Sequence, residues 1–171
     1  MMRSKEDLEN EIRNVGRDIL DSEMFLRGFC QSHHFRSNIS DLELHVTKTS
    51  LRIAGLFATA DREALIRACL CHDMGLIGQR KVVYTTGRMC ITQHPLDSAT
   101  RAEDILGSIS EKERDIIEHH MFPLVLNKPD SKEAVIICIA DKLCALYEPF
   151  TVRSLSVKLH SRLRIPVHAM A

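Results

Sequence analysis

Apolar residues recur in this chain at spacings of three and four and almost nowhere in alternation, which restricts it to helices packed on one another. Leu8, Ile12, Val15, Ile19 and Leu20 fall on one face of a segment from Lys5 to about Phe29. Leu44, Leu51, Ile53, Ala54 and Leu56 line a second helix that ends near Thr59. Its start reads Ser40-Asp41-Leu42-Glu43, a capping box in which the serine oxygen takes an orphan N–H and Glu43 reaches back. A third helix is expected over about 62–71, with Gly75 as its C-terminal stop. A fourth opens at Pro95 and ends at Gly107, and a fifth opens with a second capping box at Ser110–Glu113 and ends near His120. The sixth is capped by Ser131 and reaches about Tyr147; a last stretch, 151–164, is basic with no acid. Only Lys81-Val82-Val83-Tyr84-Thr85 looks β-like, inside a connection from 76 to 93 that is long for a compact domain and hints at function. The expected fold is all-α, a compact bundle of about six to seven helices.

At 171 residues the chain suits one domain with its own core. Its 23 basic and 23 acidic residues cancel, which argues against a large nucleic acid as partner. The N-terminus is charged where a signal peptide needs an apolar stretch, and the longest apolar run, Ala134–Ala140, is far too short to span a bilayer. A cytoplasmic protein without a membrane partner is the expectation. The six Cys have no regular spacing and sit largely in apolar helical stretches, so they read as reduced thiols.

The nine His outnumber Tyr and Phe together, and there is no Trp. Their placement points to metal. His45 lies in the second helix, His72-Asp73 closes the third, His94 opens the fourth, and His119-His120 closes the fifth. Asp141 lies next to the apolar run of the sixth, where an ionised carboxylate is costly unless paired or bound to metal. Helices four and five form a hairpin turning at 107–110. At about 1.5 Å per residue, His94 lies roughly 20 Å before the turn and His120 roughly 15 Å after it, so both belong at its open end. Helical bundles build metal sites from inward side chains in this way. Mixed imidazole and carboxylate donors suit Fe, Mn, Zn, Co or Ni and disfavour Ca. The four other His read as surface residues.

His45, His72-Asp73 and Asp141, in that order on helices, resemble the H…HD…D signature of the HD-domain superfamily of metal-dependent phosphohydrolases. The strings Cys71-His72-Asp73-Met74-Gly75 and Ile139-Ala140-Asp141-Lys142-Leu143 look like its usual surroundings. The resemblance implies a single all-helical HD domain over 1–171. Its signature-bearing core covers about 40–148, and the helices 5–29 and 151–164 pack on as extensions. It implies one divalent ion on the four signature residues and a second on His94 and one of His119 and His120, with Asp73 bridging. His120 is slightly favoured, because His120-Met121-Phe122-Pro123-Leu124 resembles the corresponding loop of small bacterial HD proteins. The chain departs from the cyclic-dinucleotide phosphodiesterases of this superfamily: Leu76 stands where they carry Lys, and their Gly-Tyr-Pro tripeptide is absent.

The leading expectation is hydrolysis of a phosphomonoester or phosphodiester of a small phosphorylated substrate, a nucleotide above all, by metal-activated water. Asp73 and His72 are the catalytic candidates. Lys142 would neutralise charge nearby, and Arg80, Lys81 and Arg88 would clamp phosphate. A non-catalytic nucleotide-sensing module and a diiron oxygenase on the same ligands are the alternatives. The apolar positions of the last helix suit either a homodimer contact or packing within the chain.

Overall fold

A computed structural model of the chain describes residues 4–31, 38–57, 59–79 and 87–163, with side chains described as far as 147. These residues form eight α-helices and one 3₁₀ turn, with no strand among them. The fold is an all-α bundle. The β-like stretch 81–85 lies outside the described residues.

The single N-terminal helix expected over 5–29 is broken into three, α1 (Lys5–Val15), α2 (Arg17–Leu20) and α3 (Glu23–Gly28). Gly16 makes the first elbow. A Cβ there would sit 2.4 Å from Leu70 Cδ1, so the bare backbone lets the elbow press on that side chain. Ser22 makes the second break by capping α3 through Phe25 N–H.

The next helix, α4 (Ile39–Ala54), starts differently from the expected capping box. Its cap is Asn38, which accepts from Asp41 N–H at 2.8 Å. Ser40 turns inward and donates to Phe25 O at 2.5 Å, and Glu43 is fully buried. Burial of both faces near this end displaced the local signal. The helix also stops at Ala54, short of Thr59.

Asp61 caps the start of α5 (Arg62–Cys69), and the helix ends before His72 and Asp73, which lie in the turns that follow. A 3₁₀ turn, Met74–Leu76, comes next. Gly75 is not a left-handed stop. It is the point of closest approach to α6 (Cys90–Leu106), where a Cβ would fall 2.1 Å from His94 O. That helix begins five residues before Pro95, which is held inside it, and it ends at Gly107 with φ of 77°. The expected start at Pro95 is therefore corrected. Ser110 and Glu113 form the expected box at α7 (Glu111–Glu118). The last two expected helices are one, α8 (Lys132–Leu163), which runs through Pro149 without stopping. Its start is capped by Ser131, which accepts from Ala134 N–H.

The core joins α4, α5, α7 and α8 through fully buried Leu44, Leu51, Leu65, Ile66, Ile116 and Ile137. Each such side chain contributes about 1.5–3 kcal/mol. Two ion pairs fix α1 on this core: Lys48–Glu9 at 2.6 Å, buried, and a two-pronged Arg62–Glu11 contact at 2.6–2.7 Å. The stretch after the 3₁₀ turn is held from both sides. Arg101 of α6 donates to Met74 O and Ile77 O, and the Gln31 amide donates to Leu76 O and accepts from Gly78 N–H.

Asp115 on α7 organises the approach to α8. Its carboxylate accepts from Asp130 N–H, Ser131 N–H and His119 Nδ1 at 2.6–3.1 Å. Partial burial alone would raise its pKa, but the bonds from Ser131, Asp130 and His119 outweigh burial and hold it below the usual carboxylate range. A depressed carboxylate stabilises the fold above its unfolded pKa of about 3.9, and the gain is lost as pH falls through the lower folded value. Asp115→Ala is thus expected to cost about 1–3 kcal/mol at pH 7, with the difference from wild type shrinking below about pH 4. Thermal melts of both proteins across that range check this.

Candidate metal centre

The turns after α5 and α7 and the second turn of α6 bring three imidazoles together. His72, His94 and His120 are 0–4% exposed, and each ring is locked by its own local backbone. His72 Nδ1 lies 2.8 Å from Cys69 O, His94 Nδ1 2.8 Å from Cys90 O, and His120 Nδ1 2.7 Å from Ile117 O. A carbonyl only accepts, so each Nδ1 carries a hydrogen, and Nε2 of the neutral ring is left as a bare lone pair. This is the tautomer that backbone carbonyls impose on metal-ligating histidines.

The bare atoms converge on one carboxylate. Asp73 Oδ1 lies 3.3 Å from His94 Nε2 and 3.4 Å from His120 Nε2. The two Nε2 atoms face each other at 3.0 Å. Two neutral rings in this tautomer have no hydrogen to share at that point, so the pair fits a cation lodged against both. Both nitrogens are close enough to bind a single ion at the metal–nitrogen distance of about 2.0–2.1 Å usual for imidazole. The three donors lie within 4.8 Å of one another.

A second set of groups adjoins the first. His72 Nε2 is 3.6 Å from Asp73 Oδ2 and 3.8 Å from Asp141 Oδ1, and it has no hydrogen-bond partner among the described residues. An orphaned, buried ring nitrogen between two carboxylates is again a place for a cation. Burial pulls the His72 pKa down, but Asp73, Asp141 and Glu43 overcome it and raise it to about 9. Burial pushes Asp141 up, yet the pull of the nearby His72 ring wins and holds it at about 2. For His120, burial prevails over the pull of Asp73 and lowers the pKa, which keeps that ring neutral and able to donate its lone pair.

The remaining sequence candidates divide. His45 is half-buried on α4, which packs against the helix carrying Asp141. His119 turns away to Asp115, with Nδ1 2.6 Å from Oδ1, so the structure brings His120 and not its neighbour into the cluster. The long stem of Lys142 folds back toward its neighbour: Nζ donates to Asp141 Oδ2 at 3.1 Å and also to His120 O. Arg88 is exposed and donates to Gln93 Oε1, whose amide donates in turn to Asp97. Arg80 and Lys81 lie outside the described residues.

Sequence reasoning missed Glu43 as part of this region. Its carboxyl is fully buried, and burial raises its pKa well above the usual value, offset in part by His72. The signal was present in the periodicity, since Ile39, Glu43, Val46, Ser50 and Ala54 form one buried helical stripe. Arg101, which braces the turn after Asp73, was missed as well, because its carbonyl partners on 74–77 are invisible to side-chain patterns.

The profile of the HD domain matches residues 42–146, well over half of the chain. The chain belongs to the HD-domain family. That match takes in every residue of the cluster, and HD domains are typically metal-dependent hydrolases. The buried His and Asp cluster of this HD domain supports binding of a divalent metal. No curated relative and no solved structure matches the chain. Among the described residues of the HD protein, no helix is long and apolar enough to cross a membrane.

Proposed function

We propose that this HD domain hydrolyses a phosphomonoester or phosphodiester of a small nucleotide. The observation that carries the reading is the meeting of two bare imidazole nitrogens, 3.0 Å apart, over the Asp73 carboxylate. Asp73, His94 and His120 would hold one divalent ion, and His45, His72, Asp73 and Asp141 another, with Fe, Mn, Zn, Co or Ni compatible with the donors. Such an ion lowers the pKa of bound water toward about 7 and draws charge from phosphoryl oxygens.

The protein's own groups do the rest. The Nδ1–carbonyl bonds fix three rings before substrate arrives, so no reorganisation is needed at that moment. Asp73 accepts a hydrogen bond from the attacking water and sets its direction. Lys142, tethered to Asp141 and His120 O, brings positive charge beside the cluster and offsets the phosphate. Arg88, with Arg80 and Lys81 in the same connection, binds the phosphate from outside. The neutral chain suits a small nucleotide better than a long nucleic acid, and the cytoplasm is the compartment this reading favours.

Purified protein is expected to carry one or two equivalents of transition metal and to release phosphate or nucleotide from a nucleotide panel with Mn, Fe, Co or Ni. The rate should be the same without oxygen. Turnover that needs oxygen and iron would favour an oxygenase, and nucleotide binding without turnover at any metal would favour a sensing module. Chelation should lower the melting temperature by about 5–10 °C, because an ion at a hundred times its Kd stabilises by about 2.7 kcal/mol.

A further inference from the structure

Glu43 occupies a position that a stable fold would not choose. Its side chain is fully buried on the inner stripe of α4, and neither carboxyl oxygen finds a hydrogen-bond partner among the described residues. An unpartnered carboxyl in that setting is costly in either protonation state. Every neighbour on the stripe is apolar or has its polar atom used: Ser50 Oγ accepts from Cys69, and Thr47 Oγ1 donates to Glu43 O. What Glu43 faces is the dipeptide at the centre of the cluster. Its carboxyl feels the charges of both His72 and Asp73, and the Asp73 backbone N–H acts on it as well.

We propose that Glu43 is a positioning residue for the metal centre. From beneath, it orients the His72–Asp73 turn through the Asp73 N–H, at the expense of stability in the metal-free protein. It touches neither ion nor substrate. The inference rests on the metal reading of the site. Its logic is that of functional positions in general, which break a local packing rule for the sake of the site.

A purely structural residue and a positioning residue make opposite predictions for one variant. Glu43→Met fills the same space without a polar group. If Glu43 serves the site, metal-free Glu43→Met melts about 2–4 °C above metal-free wild type, while its affinity for Co²⁺ falls about 10–100-fold. Glu43→Gln keeps an acceptor oxygen for the Asp73 N–H and should lose less than about tenfold, a partial rescue. Titration calorimetry with Co²⁺ and melts in chelator read both quantities on the full chain. Co²⁺ affinity of Glu43→Met within twofold of wild type overturns the proposal. So does a lower metal-free melting temperature or failure of that variant to fold, since either makes Glu43 a structural residue. Wild-type protein that binds no Co²⁺, Mn²⁺ or Zn²⁺ would instead sink the metal reading itself, and the role of Glu43 with it.

Discussion

Asp73→Ala is expected to lose metal and hydrolysis together while keeping the fold. Among the described residues, Asp73 is the one carboxylate in reach of three imidazoles, at 3.3 Å from His94 Nε2, 3.4 Å from His120 Nε2 and 3.6 Å from His72 Nε2. Its removal leaves the two facing nitrogens of His94 and His120 without an anion to share a cation. It also deletes the strongest influence that raises the His72 pKa, so that ring reverts toward the neutral form that burial favours. The fold should survive, because the turn is held by other contacts: Arg101 on the carbonyls of Met74 and Ile77, and Ser98 Oγ on the Gly75 N–H at 2.8 Å. Metal content should fall below about a tenth of an equivalent, and hydrolysis by at least about a thousandfold, roughly 4 kcal/mol of transition-state stabilisation. Elemental analysis and the nucleotide assay on the same preparation check both. Full metal content in the variant would remove Asp73 from the centre.

Gly75→Ala should have the largest effect on stability of any single methyl added near the site. The new Cβ would sit 2.1 Å from His94 O and 2.9 Å from Ser98 Oγ. His94 O belongs to helix backbone and cannot swing aside, so the 3₁₀ turn and α6 must part. Overpacking of this kind costs about 1–3 kcal/mol, which for a chain of this size lowers the melting temperature by about 3–10 °C. The separation also moves Asp73 away from His94, so metal affinity should fall in the same variant. Gly78→Ala is the control. Gly78 has φ of 83° and nothing within 4 Å of an added Cβ, so its substitution costs about 1 kcal/mol of backbone strain and leaves metal affinity unchanged. Equal loss of affinity in the two variants would mean that general destabilisation, not the approach of the turn to α6, is what the metal senses.

Much of this fold is legible in the residues themselves. The Ser110–Glu113 box, the Ser131 cap and the stop at Gly107 stand where local chemistry puts them, because each is settled within four residues. The departures have tertiary causes. Gly16 is an elbow only because Leu70 presses on it, and Ser40 leaves its capping role because Phe25 O is near. Pro95 sits inside α6 because residues 90–94 add a turn ahead of it. The hairpin geometry brings His94 and His120 to one level, and the structure places their Nε2 atoms 3.0 Å apart. Choosing between His119 and His120 needed more than spacing. Adjacent side chains diverge by about 100° on a helix, and the partner that claims His119, Asp115, is itself occupied with the start of α8. Glu43 stayed hidden because an acid three residues after a serine, here Ser40, imitates a capping box.

The central claim is that the imidazoles of His94 and His120 and the carboxylate of Asp73 hold an ion. Anomalous scattering from crystals grown without chelator measures this directly. A strong transition-metal peak is expected within bonding distance of His94 Nε2, His120 Nε2 and an Asp73 oxygen. A map from metal-supplemented protein with no peak at that point, or with its ion held by His119 in place of His120, would contradict it.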